Sequence, residues 1–120
     1  MSFENTFERF KLISGLSSQE AQVWSGLVSE SRDYLEGIVF KDDLLLSDKK
    51  RLDNAAAVYA YYRYLSYTVN DESYFSAGDL KVSYNRDKLK AAEKMWESEL
   101  KSLGDIVDTS NSVFYFKRVI

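Results

Sequence analysis

The sequence predicts a mainly α domain: four helices, a short extended arm between the third and fourth, and a short C-terminal strand. Three observations carry that prediction. Apolar residues recur at spacings of three and four along four stretches, so each stretch has a stripe to bury. Capping residues and glycines punctuate the stretches, and no proline interrupts them. The period falls to two in only two places, around 80–84 and 113–119.

The first helix runs from Phe3 to Ile13 with Phe3, Phe7 and Phe10 on one stripe; Ser2 is placed to cap it and Gly15 to stop it in the left-handed region. Ser17, with Glu20 three residues on, is a capping-box pattern that opens a second helix. Its apolar face holds Val23, Trp24, Leu27, Val28, Tyr34, Leu35 and Ile38, and Gly37 weakens its end. Phe40 to Leu46 reads as a connection, with Leu44-Leu45-Leu46 either tucked onto the core or held for a partner. Ser47 caps a third helix, from about Asp48 to Val69, and Asp48 suits the positive end of its dipole.

That third helix carries two stripes. One is Leu52, Ala55, Val58, Tyr59, Tyr62, Leu65 and Val69; the other is Ala57, Ala60, Tyr61, Tyr64 and Tyr67. A helix apolar on both sides is either central in its own domain or carries a second contact surface. Both readings stand at this point: internal burial, or a Tyr61/Tyr64/Tyr67 side that meets another subunit, tyrosine being enriched at interfaces. Beyond Asn70-Asp71-Glu72 the period changes. Phe75 to Tyr84 reads as an arm in which Gly78-Asp79 makes a turn and Leu80, Val82 and Tyr84 alternate with Lys81 and Ser83. The fourth helix starts near Asn85 or Arg86, buries Leu89, Ala92, Trp96, Leu100 and Leu103, and ends at Gly104. A polar loop, Asp108 to Ser112, leads to the alternating tail from Val113 to Val119, in which Phe114 and Phe116 point one way. Arm and tail pair with each other, add a strand to a neighbouring chain, or do both.

Composition narrows the chemistry. The 120 residues fit one domain, 1–120, and contain no Cys and no His, so thiolate nucleophiles, imidazole bases and the usual zinc ligands are missing. Carboxylates remain, but the adjacent pairs Asp42/Asp43 and Asp71/Glu72 do not converge on a point and read as solvated loop acids. Gly78 lacks the neighbours of a phosphate-cradling loop. The expectation is therefore no catalytic, cofactor-binding or metal-binding residue, and no enzyme. Sixteen basic and 19 acidic residues give a net charge of −3, without the basic surface that phosphate backbones require. No apolar run reaches the ~20 residues that span a bilayer, and no basic–apolar leader pattern opens the sequence.

The order of helix, Phe75, Gly78-Asp79, Val82-Ser83, helix and aromatic tail resembles the small adaptor proteins of the head–tail connector in tailed bacteriophages. The matching residues are Phe75, Gly78, Asp79, Val82 and Ser83, the helix from Ala91-Ala92 to Leu103, then Phe114, Phe116 and Val119; the Ala- and Tyr-rich stretch Asn54 to Tyr62 fits as well. The match covers Asp48 to Val119. The resemblance implies a structural part that forms a homo-oligomeric ring between the portal protein and tail-side neck proteins. It would sit in the virion neck after assembly in the bacterial cytoplasm, with DNA passing through the lumen unread. Contact residues under this reading are Phe75, Gly78, Asp79, Leu80 and Val82 of the arm, Tyr61 and Tyr64 of the third helix, and Phe114 and Phe116 of the tail. The alternative is a small helical regulatory or inhibitory module that docks one protein partner.

Overall fold

A computed structural model describes residues 2–69 and 79–108, of which 79–85 by their backbone alone. The chain forms five helices over these residues: α1 Phe3–Ser14, α2 Ser18–Val23, α3 Ser25–Gly37, α4 Leu46–Val69 and α5 Asp79–Ser102. The mainly α class is as expected. Among the described residues the only extended pairing is a single antiparallel bridge, Val39 with Val107.

The N-terminal signals act as read. The Ser2 hydroxyl accepts from the Asn5 N–H, and Gly15 closes α1 at φ 73° with its N–H on the Lys11 carbonyl. Only a residue without Cβ adopts that backbone at no cost. Ser17 and Glu20 form the reciprocal capping box that starts α2.

Three expectations need correcting. The predicted second helix is two, because Trp24 breaks it. Its N–H turns back to the Ala21 and Gln22 carbonyls in a tightened last turn, while its own carbonyl accepts from the Val28 N–H and launches α3. The break aims the indole at Tyr64 and Tyr67 and leaves neighbouring Val23, expected on the apolar face, 79% exposed. The third predicted helix starts earlier than expected, and Ser47 does not cap it. Asp48 Oδ2 instead accepts from the Leu45 N–H at 3.1 Å, the reverse half of a capping box. Finally, Asp79, Leu80 and Val82 lie in helix and not in an extended arm: Asp79 is the first residue of α5. A five-residue alternation is too short to separate strand from helix, and an acid at the first helical position is favoured by the dipole. Phe75 and Gly78 of the arm, and Phe114 and Phe116 of the expected C-terminal strand, lie outside the described residues.

Helix α4 is the axis of the molecule, in contact with α1, α3 and α5. Its two stripes are covered from two directions. On one side Leu52, Ala55, Ala56 and Val58 join Leu35 of α3, Trp96 and Leu100 of α5 and Leu103 just after it, with Ile106 and Val107 closing the end. Tyr59 lies tilted against Trp96 with ring centroids 4.5 Å apart, and Tyr34 tilted against Tyr59 at 4.9 Å. On the other side Ala57 and Ala60 meet Phe10, Ala21 and Val28, with Tyr61 and Tyr64 packed against them. Ile13 touches both clusters, so the two halves form one continuous core.

Candidate interaction surface

The tyrosine side of α4 faces α1 and α2 of its own chain. Tyr64 meets Phe10 edge-on at 6.0 Å and Trp24 edge-on at 4.8 Å, and Tyr61 packs beside it. Of the two readings left open by the sequence, Tyr61 and Tyr64 show packing against the core of their own chain, and both stay part-exposed. Tyr67, stacked on Trp24 at 6.3 Å, is the tyrosine of this stripe that stays exposed.

Three polar networks tie one helix to another. At the start of α4, Asp48 is buried; Lys41 Nζ donates to its Oδ2 at 2.7 Å, and Arg51 lies 3.6 Å from its Oδ1. Hydrogen bonds from Lys41 and then from the Leu45 N–H hold the Asp48 carboxyl below the usual carboxylate range, against the opposing effect of burial. Arg51 also grips Asp105 with both guanidinium nitrogens, at 3.1 and 3.0 Å, and donates to the Ser102 carbonyl at 2.6 Å. This bidentate pair lowers the Asp105 pKa and raises that of Arg51. It clamps the end of α5 to the start of α4.

A second network sits where the apolar pattern of α4 contains an acid. Asp53 is buried, and its Oδ1 accepts from the Ser2 N–H at 3.0 Å and the Thr6 hydroxyl at 3.4 Å. Here sequence reasoning missed a structural residue that had a signal: an aspartate next to Leu52 and one turn before Ala56 and Ala57 needs donors if it is buried with them. Beside it Arg9 Nε donates to Asn54 at 2.7 Å, and Asn54 donates to Glu99 at 3.1 Å, joining α1, α4 and α5. The third network joins α3 to α4: Arg63 donates to Glu30 at 3.2 Å and lies over the Tyr59 ring at 5.6 Å. Nearby, burial and then the charge of Glu93 push the Tyr62 phenol above its ordinary pKa.

Among the described residues no cluster of three or more acids is arranged to hold a metal ion, and no helix is long and apolar enough to cross a membrane. An open groove of about 400 Å³ runs between α1 and α4, lined by Asn5, Glu8, Arg9, Leu12, Lys50 and Asn54 among others. Its charges are of both signs.

The exposed apolar side chains are more informative. The connection from α3 to α4 carries Phe40 at 59% exposure and Leu45 at 62%, and Leu46, the first residue of α4, follows at 71%. Of the Leu44-Leu45-Leu46 run, only Leu44 is tucked onto the core. Backbone bonds fix this connection against the chain after α5: the Phe40 N–H donates to the Ile106 carbonyl at 2.9 Å and the Asp108 N–H to the Ile38 carbonyl at 2.8 Å. Sequence reasoning missed Ile106 and Val107 as core residues; an apolar pair between Gly104 and Asp108 was the available signal.

Comparison of the chain with protein-family models, with curated proteins and with solved structures finds no match.

Proposed function

We propose that the chain is a non-catalytic structural adaptor of a tailed-phage head–tail connector, forming a ring between the portal and tail-side proteins by protein–protein contact. One observation carries the reading: the resemblance over Asp48 to Val119, in the Ala- and Tyr-rich helix, in Phe75, Gly78, Asp79, Val82 and Ser83, and in Phe114 and Phe116. The use of the polar groups is compatible with it, since the Asp48, Asp53 and Arg63 networks join helix to helix. Asp79, Leu80 and Val82 belong to the opening turns of α5, so in this reading the partner meets a helix there and not an added strand. Tyr61 and Tyr64 pack against the subunit's own core and offer a partner only their part-exposed edges.

The test mixes the purified protein with portal particles from the same genome and images the particles. A ring of added density is expected, and Leu80→Asp should remove it while the circular dichroism of the free protein stays helical. Deleting residues 114–120 should impair assembly more than it lowers helix content. Failure of the unmodified protein to bind any portal or neck component would favour the regulatory-module reading.

A further inference from the structure

The α3–α4 connection, hydrogen-bonded through Ile38 and Phe40 to Asp108 and Ile106, lies beside the point where the described chain ends. Phe40, Leu45 and Leu46 are exposed there, and the exposed Asp42 and Asp43 sit between them in sequence. Asp43 holds a left-handed backbone at φ 52°, and neither acid makes an ion pair among the described residues. Residues 109–120 follow Asp108, and they contain Val113, Phe114, Phe116, Val119 and Ile120 with Lys117 and Arg118. The two segments are complementary in kind: aromatic and aliphatic groups on both, acids on one and bases on the other.

We propose that this face is the seat of the chain's own C-terminal segment, with Phe114 and Phe116 covering Phe40, Leu45 and Leu46, and Lys117 and Arg118 meeting Asp42 and Asp43. Reach permits it. Asp108 is hydrogen-bonded to Ile38, two residues before Phe40, and the six residue steps from Asp108 to Phe114 extend to about 20 Å. Local anchoring also raises the effective concentration of the segment over this face above that of any free partner. Charge supplies the orientation, apolar cover the retention. The proposal goes beyond the connector reading and stands without it; a neighbour that takes the same segment must first displace it from this seat.

A chain without cysteine allows a direct test, because engineered pairs report alone. Ser47→Cys with Ser112→Cys flanks the proposed contact. Val23→Cys with Ser112→Cys is the control: Val23 adjoins Trp24, which stacks on Tyr67, and 21 residue steps of α4 put Tyr67 about 30 Å from Leu46. Under mild oxidation of the full-length variants, the first pair should close within the monomer at least tenfold faster than the control, at a rate independent of protein concentration. Adding Lys117→Glu and Arg118→Glu should slow it severalfold. In the chain with native Ser47 and Ser112, Phe114→Ser with Phe116→Ser should speed amide hydrogen exchange across 40–46 with unchanged circular dichroism. Equal closure rates for the two pairs, or unchanged exchange across 40–46, would overturn the proposal. Cross-links that form only between chains would assign the face to a second copy instead.

Discussion

Toward α5, helix α4 presents Leu52, Val58 and Tyr59 to Trp96, Leu100 and Leu103; toward α1 and α2 it presents Ala57 and Ala60 to Phe10 and Ala21. The first contact fills space with large side chains, almost wholly buried except for Tyr59. The second brings helices together through small residues and seals the gap with half-buried rings, Tyr61, Tyr64 and Trp24. The same helix therefore depends on volume along one side and on closeness along the other. Removing atoms should damage the first, and adding atoms the second.

Substitutions can break this contrast. Trp96→Ala should cost the most, about 3–5 kcal/mol, because the indole is 2% exposed and holds the Tyr59 and Tyr34 rings; thermal melts without a loss would mean that α5 is not packed on it. Phe10→Ala should also destabilise, by about 3 kcal/mol, at the low end for its type because the half-buried Tyr64 can settle into the gap. Ala57→Leu should cost about 1–3 kcal/mol by overpacking, measured by urea denaturation, and a neutral result would show that α1 can move away freely. Ser17→Ala removes half of the capping box and should cost about 1 kcal/mol, with the effect confined to faster hydrogen exchange in α2.

Acid sharpens the comparison in another way, since among the described residues the shortest ion pairs are those of the clamp at the start of α4. Asp48 and Asp105 both have folded pKa values lowered by hydrogen bonds, from Lys41 and Arg51 respectively. Each binds its proton less readily when folded. Its contribution is therefore present above the unfolded carboxylate pKa and is lost as pH falls through that value toward the folded one. The melting temperature should drop over that acid window, and Asp48→Asn with Asp105→Asn should flatten the drop.

Much of this was legible in the sequence. The caps Ser2, Ser17 and Gly15, the double stripe of the third helix and the burial of Trp96 follow from local rules that the packing reinforces. The one-residue break at Trp24 was not, because no glycine or proline stands at that position and the turn is set by the tyrosines that the indole meets. The start of α5 was misread because Leu80, Val82 and Tyr84 satisfy period two as well as they fit a helix. Tyr61 and Tyr64 carried an ambiguity that spacing does not resolve: the pattern marks an apolar face without saying which chain covers it. The Asp53 network had a compositional signal, whereas the Arg51–Asp105 clamp joins residues far apart in sequence and leaves none.

The bridge between Val39 and Val107 has a kinetic meaning. It joins two points that most of the chain separates, and closing a long loop has an entropic cost that rises by about 0.6 kcal/mol for each doubling of its length. The antiparallel docking of α5 on α4 brings Leu103 near Leu52 first and shortens the effective loop that remains. The bridge should therefore form late in folding and open early in unfolding, as the weakest latch of the core. Phe40, bonded to Ile106 beside it, would then be released by the same local opening that frees Asp108 from Ile38.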